Sequence, residues 1–184
     1  LFPWTHKEVT ILADGARAVY SGDIDGDGDD DAISASQEDN SITWYENIDG
    51  AGGNWTRRVI ATDMEDAWTV FGIDINGDGY IDIVGGANHD DTVAWYENVD
   101  GTGRNWTTHI ITTSADGARE VFATDVNGDG TIDVLSASQN DDTIAWYNNT
   151  DGTGLNFTKV TIATGQSGAS VCSSPSLAAL SYST

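Results

Sequence analysis

The sequence has little sulfur, little proline and little positive charge. Its 184 residues include one cysteine, Cys172, and two prolines, and 7 lysines and arginines stand against 30 aspartates and glutamates, for a formal net charge of −23. A single cysteine excludes an internal disulfide. The shortage of basic residues argues against nucleic acid and anionic membranes as partners, because a basic face binds both. No apolar run approaches the length of about 18 residues that a membrane-spanning helix needs, so we expect no membrane insertion.

What the sequence does contain is typical of a folded, turn-rich protein. Hydrophobic residues make up 39% of the chain, which has 7 tryptophans and 6 tyrosines, so it is not a disordered acidic tail. The 21 glycines indicate many tight turns. The length suits one domain or one run of repeats and is sufficient to bury a core.

The chain is an internal repeat with a period of 51 residues. A Trp-Tyr pair begins at Trp44, Trp95 and Trp146, and an acidic run begins at Asp23, Asp74 and Asp125. Both sets keep the same spacing without an insertion or deletion. We therefore assign three repeats, 13–63, 64–114 and 115–165.

Each repeat carries only β-strand signals. In the second repeat, 69–75, 80–86, 92–98 and 106–112 are short and rich in β-branched and aromatic residues, and no stretch keeps a helical period. Asp-Gly pairs at 49–50, 100–101 and 151–152 predict a tight connection between the third and fourth strands. Four short strands in about 50 residues match a β-propeller blade. The predicted fold class is all-β, with three four-stranded propeller-like blades.

The two ends fall outside the repeats. Trp4-Thr5 stands 51 residues before Trp55-Thr56, so residues 1–12 are interpreted as the last strand of a preceding blade or as a strand donated to a neighbour. Residues 166–184 begin in register and then diverge, and they are interpreted as a C-terminal tail.

The acidic runs predict cation sites. Each has oxygen-bearing side chains at positions 1, 3, 5 and 9, glycine at positions 4 and 6, and a variable position 7 that suits a ligand acting through its carbonyl. The candidate ligands are Asp23, Asp25, Asp27, Asp29 and Asp31 in loop 1; Asp74, Asn76, Asp78, Tyr80 and Asp82 in loop 2; and Asp125, Asn127, Asp129, Thr131 and Asp133 in loop 3. Calcium prefers six to eight such oxygens, so we expect about three bound Ca²⁺ ions.

Three other interpretations of these loops fit the sequence less well. An EF-hand would need glutamate at position 12, where Ser34, Gly85 and Ser136 stand. Clusters of Asp, Asn and Gly also occur in ordinary turns, but three copies in register favour ligands. Magnesium fits less well, because it demands a stricter octahedron and retains its waters.

The segment from Phe71-Gly72 through loop 2 to Gly86-Ala87-Asn88 resembles the FG-GAP (VCBS-type) repeat. That family builds the seven-bladed propellers of integrin α-chains and of some lectins, with a calcium loop between the first two strands of a blade. The resemblance covers all three repeats, although the Phe-Gly pair is kept only in the second. It implies an extracellular or cell-surface protein that takes part in adhesion or sugar binding, and it assigns no enzymatic activity.

Four N-glycosylation acceptor sequences are present, at Asn54, Asn105, Asn156 and Asn148. The first three share one repeat position, which opens the last and outermost strand of each predicted blade, so we expect glycans there in a eukaryotic secretory source. The alternative is that Asn ends a turn and Thr suits a strand, copied by duplication.

Aromatic and histidine residues are assigned mainly to structure. We expect the Trp-Tyr pairs to pack between blades, and Trp68, which replaces Arg17 and Arg119 of the other repeats, is the best candidate for stacking on a sugar. His6, His89 and His109 occupy non-equivalent repeat positions, and no nucleophile motif is present, so we predict no catalytic residues and no enzyme.

The predicted function is that of an extracellular calcium-binding module with a structural or adhesive role. Three blades would leave two open flanks, so we expect self-assembly into a ring or filament, or packing against further blades. One alternative is that the chain belongs to a longer seven-bladed propeller. The other is a carbohydrate-binding lectin.

Overall fold

The computed structural model describes residues 7–10 and 12–165. This part of the chain contains twelve β-strands and no helix, hence no helix long and apolar enough to cross a membrane. The strands are β1 (Ala16–Gly22), β2 (Asp31–Ser36), β3 (Ser41–Asn47), β4 (Trp55–Ala61), β5 (Ala67–Ile73), β6 (Asp82–Ala87), β7 (Val93–Asn98), β8 (Trp106–Thr112), β9 (Ala118–Thr124), β10 (Asp133–Ser138), β11 (Thr143–Asn149) and β12 (Phe157–Ala163). The prediction of an all-β fold is confirmed.

The strands form three antiparallel four-stranded sheets with the strand orders β1-β2-β3-β4, β5-β6-β7-β8 and β9-β10-β11-β12. We call these sheets blade 1, blade 2 and blade 3. Each sheet falls inside one predicted repeat, and the four strands predicted for the second repeat begin and end within about two residues of β5 to β8.

The described part of the chain leaves out most of both ends. Residues 1–6, 11 and 166–184 lie outside it, and with them His6 and Cys172, most of the predicted spare strand and the predicted tail. Residues 7–10 belong to no strand. Val9, Thr10 and Ala13 nevertheless line a cleft of about 300 Å³ beside Val19 of β1 and Tyr45 of β3.

The hydrophobic core lies between the blades. One cluster joins blades 1 and 2, with Trp44 on one side and Tyr96 on the other, and a second joins blades 2 and 3, with Trp95 facing Tyr147. The Trp and Tyr of each pair alternate along the strand and therefore serve opposite faces of the blade. The prediction that the Trp-Tyr pairs pack between blades is confirmed at these two interfaces.

The first strands of the blades are joined by a ladder of aromatic rings. Tyr20 lies 5.7 Å from Phe71, and Phe71 lies 4.8 Å from Phe122, measured between ring centroids, and both pairs are tilted. These residues hold the Phe position of the Phe-Gly pair. A Cβ atom on Gly72 would collide with the ring of Tyr20, which explains why glycine follows Phe71.

Candidate metal centre

The three acidic loops occupy the predicted place in each blade. They connect β1 to β2, β5 to β6 and β9 to β10, so they lie at the same end of all three sheets. The glycines at positions 4 and 6 have φ values in the left-handed region in every loop, for example +74° at Gly26 and +97° at Gly28. This backbone conformation curls the chain, as the glycine pattern predicts.

Loop 1 gathers three carboxylates. Oxygen atoms of Asp23, Asp25 and Asp27 lie within 4.8 Å of one another. One oxygen of Asp23 and one of Asp25 are buried and have no hydrogen-bond partner among the described residues. Burial, together with the negative charges of Asp27 and Asp31, raises the pKa of Asp25 to about 6. Carboxylates held this closely fit a hard cation, which would satisfy the unpartnered oxygens and cancel their repulsion.

Loops 2 and 3 are closed by their own hydrogen bonds. Asp74 accepts the backbone N–H groups of Gly77, Asp78 and Gly79 at 2.8, 3.2 and 2.8 Å. The amide of Asn76 donates to Asp78 at 3.1 Å, and loop 3 repeats this pattern at Asp125 and Asn127. A neutral amide at position 3 lowers the charge of these loops, so they hold their shape with less repulsion than loop 1.

The position-9 aspartates tie each loop to the third strand of its blade. Asp82 accepts the backbone N–H of Ile75 at 3.0 Å and that of Asn98 at 2.9 Å, one on each oxygen. Asp31 and Asp133 do the same in their blades, and all three side chains are buried. Burial raises the pKa of Asp82 to about 7, and a carboxylate oxygen that accepts one N–H retains a lone pair for a cation.

The position-7 side chains contact a turn of their own blade. A Cβ atom on Gly50, Gly101 or Gly152, in the connection between the third and fourth strands, would collide with Asp29, Tyr80 or Thr131 respectively. Thr131 also donates its hydroxyl to the carbonyl of Asn149 at 3.1 Å. These side chains are thus engaged by the turn, which leaves the predicted ligand role at position 7 to the backbone carbonyl.

The structure also reveals a set of residues that the sequence analysis missed. Asn47, Asn98 and Asn149 end the third strands, are buried, and bond through their backbone N–H to the position-9 aspartate. The side-chain oxygen of Asn98 accepts the N–H of Gly103 at 3.0 Å, and its amide donates to the carbonyl of Ile24, in loop 1 of the preceding blade, at 2.8 Å. Their signal in the sequence is the recurrence of Asn three residues after the Trp of each Trp-Tyr pair.

The four glycosylation sequences differ in accessibility. Asn54, Asn105 and Asn156 are exposed and immediately precede the edge strands β4, β8 and β12. Asn148 lies inside β11, where it pairs with Thr158, and its side-chain oxygen is buried.

Trp68 and the described histidines are engaged by neighbouring side chains. The guanidinium groups of Arg17 and Arg119 each lie 4.3 Å from the Trp68 ring centroid, one from the blade on either side. His109 stacks on Trp95 at 4.5 Å and lies 2.9 Å from the carboxylate of Glu97. His89 is exposed and faces Glu65 at 3.2 Å.

Comparison with known proteins gives one family. A family model described as FG-GAP-like repeat matches three times in succession, at residues 23–85, 74–136 and 125–174. Each match begins at the first aspartate of an acidic loop, and the first two run into the second strand of the next blade. No curated protein matches the chain.

Proposed function

The chain belongs to the FG-GAP-like repeat family, and from this premise we propose that it is an extracellular calcium-binding module with a structural or adhesive role. The observation that carries the proposal is loop 1, where three carboxylates converge and two of their oxygens are buried without a partner among the described residues. Calcium is the hard cation that best fits clustered carboxylate and carbonyl oxygens on a flexible loop.

Calcium would act on this protein mainly through stability. Three ions would offset about 6 units of the net charge of −23, and each would join residues from both ends of one loop. The carboxylates of loop 1 would otherwise repel one another at short range. The ions would therefore hold the β1–β2, β5–β6 and β9–β10 connections in their curled conformation.

Thermal unfolding with and without a chelator tests the proposal. With free calcium at 100 times the dissociation constant, each site should add about 2.7 kcal/mol, which corresponds to a rise in Tm of about 5 to 10 °C. We expect calcium to restore the Tm after chelation and magnesium to restore it less. An unchanged midpoint would contradict the proposal.

A matched pair of variants assigns the effect to loop 1. Asp25→Asn replaces a charged ligand by a weaker, neutral one and also removes a repelling charge, so it should lower the Tm in calcium and raise it in chelator. Asp49→Asn changes an exposed aspartate in the β3–β4 connection, so its effect on the Tm should not change sign between calcium and chelator. Equal behaviour of the two variants would remove loop 1 from the proposal.

Assembly through the end faces of the blade stack is the second part of the proposal. Val70 and Val121 are 7% and 4% exposed beneath the preceding blade, whereas Val19, at the same repeat position in blade 1, is 74% exposed. At the other end, Trp44 and Trp95 are 0% and 1% exposed beneath the following blade, whereas Trp146, at the same repeat position in blade 3, is only partly buried. These end faces are the complementary halves of one blade–blade interface, so copies of the chain or further blades would fit them. A molecular mass that rises with protein concentration would support assembly, and a constant mass of one chain would contradict it.

An extracellular, non-enzymatic role is consistent with these features. Calcium sites of modest affinity are filled at extracellular calcium concentrations, and three exposed acceptor asparagines suit a secreted glycoprotein. Each described histidine lies close to a carboxylate oxygen, His89 at 3.2 Å from Glu65 and His109 at 2.9 Å from Glu97. We therefore propose no catalytic residue.

The lectin alternative is less well supported. Its best sugar-stacking candidate, Trp68, lies between two guanidinium groups that cover its ring faces. A glycan array distinguishes the two functions, because reproducible binding to a free sugar would favour the lectin.

A further inference from the structure

We propose that each calcium loop is completed by the blade that follows it, with Asn98 and Asn149 as positioning residues that hold the loop of the preceding blade in its binding conformation. This inference rests on the proposed calcium function and adds its regulation, since calcium affinity then depends on blade–blade packing.

The first support is a hydrogen bond that crosses each described interface. Asn98 of blade 2 donates to the carbonyl of Ile24, position 2 of loop 1, at 2.8 Å. Asn149 of blade 3 donates to the carbonyl of Ile75, position 2 of loop 2, at 3.5 Å. Because a peptide group is planar, fixing the carbonyl of Ile24 also fixes the N–H of Asp25, and with it the start of a proposed ligand residue.

The second support is the burial of the position-2 side chain. Ile24 and Ile75 are each 1% exposed. A Cβ atom on Gly154 of blade 3 would lie 2.8 Å from the Cγ2 atom of Ile75, so the turn of the following blade lies directly on loop 2. Val126, at the same position of loop 3, is only partly buried, and no described blade follows it.

The asparagines contact two loops each. The backbone N–H of Asn98 bonds to Asp82, position 9 of loop 2, while its side chain reaches loop 1. Asn47 of blade 1 keeps the equivalent bonds within its own blade, to Asp31, Gly52 and Asp30, but it has no partner in a preceding loop among the described residues. The contact with the preceding loop is therefore separable from the role of the asparagine in its own blade.

Linkage makes the effect reciprocal. If the packing of blade 2 raises the calcium affinity of loop 1, calcium bound in loop 1 strengthens the packing of blade 2 by the same free energy. Loops 1 and 2 should then bind calcium as part of a blade–blade interface. Loop 3 should bind more weakly until another blade covers it.

The test uses a chain in which only loop 1 can bind. Asp78→Ala and Asp129→Ala remove a central ligand from loops 2 and 3, and calcium binding to this parent is measured by titration calorimetry. We expect Asn98→Ala to weaken calcium binding at loop 1 about tenfold, the effect of about 1.4 kcal/mol. Asn149→Ala is the matched control, because it removes the same bonds one blade farther on, and it should leave loop 1 unchanged.

Amide hydrogen exchange across residues 23–31 gives a second readout. Calcium should protect these amides in the Asn149→Ala variant more than in the Asn98→Ala variant. Equal affinities and equal protection in the two variants would overturn the inference while leaving calcium binding intact. A parent that binds no calcium would instead overturn the proposed function, and this inference with it.

A second comparison needs no change at an asparagine, in case Asn98→Ala does not fold. Loops 2 and 3 carry the same residues at positions 1, 3, 5 and 9, so chains with only loop 2 or only loop 3 intact differ mainly in the following blade. At concentrations where the mass is that of one chain, loop 2 should bind more tightly. Equal affinities would overturn the inference.

Discussion

Glycine is required at Gly103 and Gly154 for two separate reasons. Both have a φ in the left-handed region, +66° and +73°. Both also lie against an indole of the preceding blade, since a Cβ atom on Gly103 would come 2.6 Å from the ring of Trp44. Gly52, at the same position of blade 1, has a φ of +67° but would make only an ordinary contact of 3.5 Å with Trp55. The backbone conformation is thus common to all blades, and the need for space arises only where another blade packs.

Substituting these glycines separates the two costs. Gly52→Ala should lower the free energy of unfolding by about 1 to 2 kcal/mol, the cost of a left-handed conformation with a side chain. Gly103→Ala should cost at least about 1 kcal/mol more, because the methyl group also displaces Trp44. Denaturant unfolding of both variants gives the difference. Equal losses of unfolding free energy in the two variants would mean that the interface accommodates the methyl group at position 103 at no cost.

The buried hydroxyl group of Tyr96 lacks the serine partner that the equivalent tyrosines have in the other two blades. Tyr147 contacts the hydroxyl of Ser136 at 3.3 Å, but Gly85 occupies the corresponding position of blade 2, and the Tyr96 hydroxyl has no partner among the described residues. Burial raises the pKa of Tyr96, so the phenol stays neutral. We expect Tyr96→Phe to raise the free energy of unfolding by about 1 kcal/mol and Tyr147→Phe to lower it. A loss in both variants, measured by denaturant unfolding, would contradict this.

At the scale of strands and loops, much of the fold could be predicted because every signal occurs three times. The strands, the loop between the first two strands and the left-handed glycines all follow from local sequence, and repetition removes accidental patterns. The connection between the third and fourth strands is less tight than its Asp-Gly pair suggests. In blade 1 it spans residues 48–54 and is closed by a bond from the N–H of Ile48 to the carbonyl of Asn54 at 2.9 Å.

The role of Asn98 could not be predicted from local sequence. Its bond to Ile24 joins residues 74 positions apart and depends on how one sheet sits against another. The difference in hydrogen bonding between loop 1 and the other two loops could not be predicted from sequence either. Asp25 and Asn76 occupy the same loop position, and both offer a side-chain oxygen as a ligand. Only the structure shows that the amide bonds to Asp78 within the loop, whereas Asp25 keeps an unpartnered oxygen.

The position of each acceptor asparagine relative to its strand predicts which of them carry glycans. In a chain secreted from eukaryotic cells, we expect glycans at Asn54, Asn105 and Asn156, which stand exposed before edge strands. Asn148 should stay unmodified, because it lies within β11 and its amide oxygen is buried. Mass spectrometry after enzymatic deglycosylation gives the occupancy of each site. A glycan at Asn148 alone would contradict the assignment.

At the scale of the whole molecule, stability resides between blades. Each described hydrophobic cluster takes residues from two sheets, so a blade is incomplete without a neighbour on each face. Val9, Thr10 and Ala13 stand 51 residues before Ile60, Ala61 and Met64, which pack between blades 1 and 2. These three residues therefore lie beside blade 1 where the end of a preceding blade would lie. Its assignment as a last or donated strand stays a prediction, since that depends on what pairs with it.

The exposed valine of blade 1 provides the test of assembly. Val19→Asp places a charge on the open face of β1, where 74% of the valine is exposed, so the free energy of unfolding of the single chain should change by no more than about 0.5 kcal/mol. The same charge would be buried when another blade covers that face, as it covers Val70, so assembly should be abolished. Light scattering over a range of concentrations should then give a mass that rises for the unmodified chain and stays at one chain for Val19→Asp. Val99→Asp is the matched control, because Val99 is 41% exposed but lies in the middle blade, away from both end faces. If Val99→Asp dissociates the assembly as fully as Val19→Asp, surface charge rather than the end face controls association.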